Sequence, residues 1–160
     1  MHITTEQVKE LRDQTGISVM QCKKALEEAE GDMEKALLIL KKKSTELAAK
    51  KSDREAAAGF IAKAEKPGTG VLLVLRCETD FVAKNSDFTT LAQTLADKAL
   101  SDGPDAAKAI SADLIGTTIQ KVGENIMLGD VVSVSAPIVG TYVHDGRVAA
   151  VVGLSAGTEA

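Results

Sequence analysis

Apolar residues in the first third of the chain recur at helical spacing. Val8 and Leu11, then Ala25, Leu26 and Ala29, then Met33, Ala36, Leu37 and Leu40 each fall on one side of a 3.6-residue repeat. Start and stop signals cut this stretch into three. Thr4 or Thr5 can cap the first helix and Gly16 ends it. Ser18 caps the second, which is expected to run to about Glu30. Gly31 ends that helix and Asp32 caps the third. Lys42 to Ala58 is polar and alanine-rich, and reads as an extension of the third helix that loosens into a linker. The expected division is a helical module, residues 1–54, followed by a second unit, residues 55–160.

From Gly59 the period shortens. Gly59 to Glu65 reads as a strand, Lys66-Pro67-Gly68-Thr69-Gly70 as a turn, and Val71 to Cys77 as a buried strand paired with the first. Ser86 is the expected cap of a helix from about Asp87 to Leu100. Two shorter helices are expected near Asp105–Ile110 and Asp113–Gly123. Ile126 to Ser135 is rich in β-branched residues and reads as a strand. Val139–His144 and Arg147–Leu154 flank Asp145-Gly146 and form the clearest hairpin in the chain. Strand–strand–helix–helix–strand–strand–strand indicates an α+β fold, with helices packed on one face of a mainly antiparallel sheet.

Between the strand ending at Cys77 and the helix near Ser86 lies Glu78-Thr79-Asp80-Phe81-Val82-Ala83-Lys84-Asn85. It sets an acid beside a bulky ring in a polar turn. The chain holds only three Phe, one Tyr and no Trp, so this placement is conspicuous. An acid–aromatic pair that protrudes suits a wedge aimed at a partner. The plainer alternative folds Phe81 into the core and leaves Asp80 to cap the following helix or close a turn.

Composition narrows the classes. With 44% hydrophobic and 26% charged residues the chain is of ordinary globular type. Its apolar runs are too short to span a bilayer, and basic and apolar signal-peptide blocks are absent from its start, so the cytoplasm is the expected compartment. The formal charge is −4. Residues 1–54 carry 11 basic and 10 acidic side chains, whereas residues 55–160 carry 8 and 13. Such an acidic chain with few aromatics is poorly suited to gripping nucleic acid directly. Lys41-Lys42-Lys43 reads as a solvated helix face. Two Cys and two His give no metal-ligand spacing, and Cys22 and Cys77 are expected to be free thiols.

Four separated blocks carry a resemblance to a known family. The first comprises Val8-Lys9-Glu10-Leu11-Arg12, Thr15-Gly16, Met20, Cys22-Lys23-Lys24-Ala25-Leu26 and Gly31-Asp32. The others are Glu78 to Lys84, Gly123-Glu124-Asn125-Ile126 and Gly140-Thr141-Tyr142-Val143-His144. In this order they resemble elongation factor Ts, the guanine-nucleotide exchange factor of the translation GTPase elongation factor Tu. The resemblance implies that residues 1–54 form a ubiquitin-associated-like three-helix docking module. It implies that Asp80 and Phe81 intrude on the magnesium and phosphate-loop side of the GTPase, that Arg12, Val19 and Met20 form a second anchor, and that Ile126 and His144 contact the partner. It implies a non-enzymatic role, no cofactor and no membrane. Some short members pair through the core sheet, and an exposed sheet edge would favour a homodimer here. There are departures. Val19 and Gln21 stand where many members carry Met and Asp, Asn85 replaces a common acid, and Met127-Leu128-Gly129 replaces residues that are often basic. Family members commonly continue further, so a short form or an N-terminal fragment is expected.

Two readings from other classes compete. Cys77, Asp80 and His144 could mimic a Cys–His–Asp hydrolase, but no glycine-rich nucleophile turn accompanies them. The helical module alone could be a ubiquitin- or peptide-binding bundle, which has no need of the Asp80-Phe81 turn. Lys66 to Gly70 lacks the Gly-Lys-Ser/Thr ending of a phosphate loop.

Overall fold

A computed structural model describes residues 2–157. Three helices open the chain: α1 (Thr5–Thr15), α2 (Val19–Glu28) and α3 (Met33–Lys51). Each begins on a side-chain cap. Thr4 and Gln7 form a reciprocal capping box, Ser18 accepts the Gln21 amide, and Asp32 accepts the Lys35 amide. That last bond holds the Asp32 carboxyl below the usual carboxylate range. Gly16, at φ 66°, closes α1 in the left-handed conformation that glycine adopts without cost. Val8, Leu11, Ile17, Cys22, Ala25, Leu26, Ala29, Ala36 and Leu40 make the bundle core.

The second unit contains β1 (Ala58–Lys66), β2 (Thr69–Cys77), α4 (Asp80–Ala83), α5 (Ser86–Asp102), α6 (Pro104–Val122), β3 (Ile126–Ser135), β4 (Ile138–His144) and β5 (Val148–Leu154). Strands β1, β2 and β3 form an antiparallel sheet in that order. Val71, Leu73, Leu75 and Cys77 alternate along β2 and point to one face. There they meet the apolar stripe of α5, namely Phe88, Leu91, Ala92, Leu95, Ala96 and Ala99, together with Ile115 and Ile119 of α6. The opposite face is covered by the β4–β5 hairpin. A Cβ placed on Gly70 would lie 2.7–3.0 Å from methyl groups of Val139, Thr141 and Val151, so the hairpin approaches closely because Gly70 has no side chain. The hairpin turns through Asp145 (φ 50°) and Gly146 (φ 65°), both on the positive side that suits a twisted two-stranded ribbon. Its tip docks on β1 through the Ile61 amide, which donates to the Gly146 carbonyl at 2.8 Å. The layers are therefore helices, three-stranded sheet and hairpin, an α+β fold.

Several expectations are corrected. The two short helices after Pro104 are one helix, because Ser111 turns its hydroxyl back onto the Lys108 carbonyl and does not interrupt the ladder. The cap of α5 is Asn85, which accepts the Asp87 amide, while Ser86 is already helical. The stretch from Lys42 to Ala58 extends α3 as far as Lys51 and leaves the helix at residues 52–57, but the extension is packed on the second unit. Leu47 and Ala48 lie on the core of the second unit. The buried Ser44 hydroxyl bonds to the Gln120 side chain, and Lys41 pairs with Asp113 of α6 at 2.9 Å. Helix α3 thus belongs to both cores, with Leu40 in one and Leu47 in the other. Lys41, exposed, and Lys43, half-buried, both read as a solvated face, are ion-paired, Lys43 with Glu28 at 2.6 Å.

Candidate functional site

The central element is α4, a single helical turn directly after β2. Phe81 on it is 83% exposed. The reading that folds this ring into the core is therefore excluded by geometry. Asp80 is also exposed and does not cap the helix. The cap is Thr79, whose hydroxyl accepts the Val82 amide. The Asp80 carboxylate faces outward and has only Lys84, one turn later at 3.6 Å, as an ionic partner among the described residues. Ala83 is the buried residue of α4, and Val82 packs partly on the core.

The base of this turn is held by two carboxylates that cross between neighbouring connections. Glu124, in the link from α6 to β3, accepts the Glu78 amide at 3.1 Å, the Thr79 amide at 3.0 Å and the Thr79 hydroxyl at 2.5 Å. Glu78 reaches the other way and accepts the Asn125 amide at 2.7 Å. That bond, assisted by the Arg54 guanidinium at 3.5 Å, holds the Glu78 carboxyl below its ordinary range. The buried Asn125 side chain donates to the Arg54 carbonyl at 2.7 Å, and Lys51 donates to the Gly123 carbonyl at 2.7 Å. The end of α3 is thereby tied to the same junction.

Beside α4 lies an open cleft of about 670 Å³. Phe60, Ile61, Val74 and Ala83 supply apolar wall, and Asp80, Lys84, Arg76 and Arg147 supply charge. Asp80 and the β4–β5 turn therefore border one depression. His144 stands at that turn, exposed, stacked on Tyr142 with Nδ1 3.0 Å from the Tyr142 hydroxyl. Arg12, Val19 and Met20 sit apart, on the bundle at the α1–α2 connection. All three are exposed, Met20 at 68% and Val19 at 51%. Core filling by Met20 is thus ruled out. Ile126 is a correction. It pairs with Cys77 at the start of β3 and is 4% exposed, so its side chain is part of the core and offers no contact surface. Its neighbour Met127 points out instead. Glu124, Thr79 and Asn125 carried no assigned role from sequence. The Gly123-Glu124-Asn125-Ile126 block marked them, but nothing local showed that Glu124 meets Thr79 across 45 residues.

Cys77 does not support the hydrolase reading. Its thiol is buried and donates to the Thr79 carbonyl at 3.1 Å. Burial, reinforced by the Glu124 charge, pushes its pKa up to about 11, so the thiolate nucleophile is not formed near neutrality. Among the described residues no three His, Cys, Asp or Glu converge as metal ligands, and no helix is long and apolar enough to cross a membrane.

Fold and site define a two-core α+β protein whose candidate residues are presented outward, on a capped turn and a helix connection, and are not gathered around a reaction centre. A family model described as Elongation factor TS matches residues 78–160, the stretch from the Glu78 clamp onward. The chain belongs to the elongation factor Ts family. It is 41% identical over 176 aligned positions to Elongation factor Ts of Chlorobium phaeobacteroides, covering 99% of this chain and 61% of that protein. It is 43% identical over 164 positions to Elongation factor Ts of Acidithiobacillus ferrooxidans, covering 96% and 56%. For the Pasteurella multocida protein of the same name the figures are 41% over 153 positions, 94% and 54%. The chain thus spans between 54% and 61% of the length of these relatives.

Proposed function

We propose that this chain is a guanine-nucleotide exchange factor that binds the translation GTPase elongation factor Tu and promotes GDP release in the cytoplasm. The observation that carries the reading is Phe81. It is a large ring held 83% exposed on a one-turn helix whose base is anchored by Glu124. An exposed ring costs the free protein solvation energy that only a partner can recover. Burying it is worth roughly 1.5–3 kcal/mol.

Such a factor makes and breaks no covalent bond. It binds the nucleotide-free GTPase more tightly than the nucleotide-bound form, and the coupling is reciprocal. Phe81 wedges between elements of the partner, and Asp80 beside it places a carboxylate near the magnesium and phosphate site. The GTPase holds nucleotide through that ion and its phosphate loop, so disturbing either lowers nucleotide affinity. Arg12, Val19 and Met20 serve as the second anchor, which makes the bundle the docking module. His144, next to the Asp145-Gly146 turn that borders the Asp80 cleft, belongs to the same contact. Self-association enters the proposal through the sheet edges β1 and β3, and a monomer mass by sedimentation across the working concentration range would remove it.

The test is release of labelled GDP from elongation factor Tu, with and without the chain. Acceleration that saturates with chain concentration is expected. Binding to the GTPase without accelerated release would reduce the chain to a docking module.

A further inference from the structure

The one-turn helix that carries Phe81 has too little of its own to hold it. A single helical turn fixes several dihedrals for one or two hydrogen bonds and is unfavourable in isolation. The Phe81 ring is exposed and adds no packing. The cap bond from the Val82 amide to the Thr79 hydroxyl is long, at 3.5 Å. Ala83 is buried and Val82 packs partly on the core, but neither orients the segment before the turn, where three consecutive donors, the Glu78 amide, the Thr79 amide and the Thr79 hydroxyl, all end on the carboxylate of Glu124. Charge-assisted bonds of this kind are about twice as strong as neutral ones.

Glu124 is itself fixed. Gly123 before it closes α6 with its amide on the Ile119 carbonyl, at a φ of 78°. Asn125 after it is buried, with its amide on Glu78 and its side chain on Arg54. Ile126 then enters the sheet opposite Cys77. The carboxylate is therefore delivered from a rigid junction to a segment that needs it.

We propose that Glu124 is the positioning residue of the Asp80–Phe81 turn, and that its carboxylate holds the turn in the orientation that accelerates GDP release. The proposal rests on the reading of Phe81 as the wedge. Glu124 acts through Thr79, to which it is bonded. Both oxygens are used as acceptors, so a glutamine, with one acceptor and an amide NH2 facing a donor, is an incomplete substitute. An aspartate is one methylene too short to span the same gap.

The experiment pairs amide hydrogen exchange on the free chain with GDP release from elongation factor Tu. In Glu124→Ala the amides of Ala83, Lys84 and Asn85, bonded to Thr79, Asp80 and Val82, are expected to exchange about tenfold faster, the size of one lost charge-assisted bond. The maximal release rate should fall by a similar factor. The concentration for half-maximal release should stay within about twofold, because in this reading the bundle anchor, Arg12, Val19 and Met20, is untouched by the change. Glu124→Gln should restore part of both. Unchanged amide protection overturns the proposal, and so does a loosened turn with wild-type maximal release. Phe81→Ala in the same assay separates the two ideas. If it is slow while a loosened Glu124→Ala is normal, only the positioning role falls. If Phe81→Ala releases GDP at the wild-type rate, the wedge reading falls and the functional half of this proposal falls with it. Should Glu124→Ala lower the unfolding midpoint of the whole chain, Glu124→Gln, which keeps the shape and one acceptor oxygen, reads the same turn: partial loss of both amide protection and maximal release is expected, and wild-type values of either overturn the proposal.

Discussion

At the scale of single residues, exposure separates contact from support. Phe81→Ala removes a ring that touches little of its own protein. Its unfolding free energy in urea should change by less than about 0.5 kcal/mol, as for surface sites away from special features, while accelerated GDP release is largely lost. A loss of several kcal/mol, as in core truncations, would return the ring to the core. Asp80→Asn keeps shape and removes charge. If the carboxylate disturbs the partner's magnesium, this variant binds the nucleotide-free GTPase but releases GDP more slowly, and the defect shrinks when magnesium is chelated. A defect of equal size under both conditions would leave Asp80 a plain docking contact. Val19→Glu together with Met20→Glu, on the exposed bundle connection, should raise the concentration for half-maximal release and spare the maximal rate. A reduced maximal rate with unchanged half-saturation would contradict an anchoring role.

At the scale of elements, legibility follows how local the determining contacts are. The caps Thr4, Ser18 and Asp32 and the stop at Gly16 act within four residues, so the bundle's helices could be read directly from the chain. The Asp145-Gly146 hairpin was readable for the same reason. The unity of α6 was not, because Ser111 and Asp113 resemble start signals until the Ser111 hydroxyl is seen to bond backward. Ile126 shows the limit at the site. Which face a strand's first residue takes depends on register, here its pairing with Cys77. The Glu78–Asn125 bond is equally non-local, and it gives the junction a pH signature. Its folded-state pKa is lowered, so its contribution is complete above the unfolded glutamate value and is lost as pH falls through the folded one. The Asn125 amide proton, followed by NMR, should therefore titrate with a midpoint below the ordinary glutamate value. A midpoint at or above that value would mean the bond is not formed in solution.

At the scale of the whole molecule, the layers depend on close approach. Gly70→Val should push the hairpin from the sheet and cost about 1–3 kcal/mol, the usual penalty of overpacking, measured by urea unfolding. No change would mean that the hairpin does not lie on Gly70. Helix α3 has a different consequence. Its 19 residues run about 28 Å at 1.5 Å per residue, and beyond Leu40 they carry Lys41, Lys42, Lys43, Lys50 and Lys51. By composition this is the stretch where trypsin would be expected to nick the chain first. Proteases, however, need an extended strand of substrate, and here extension would tear Leu40 out of one core and Leu47 off the other at once. Digestion should therefore spare these lysines until the protein unfolds as a whole, with no surviving half to accumulate on the gel.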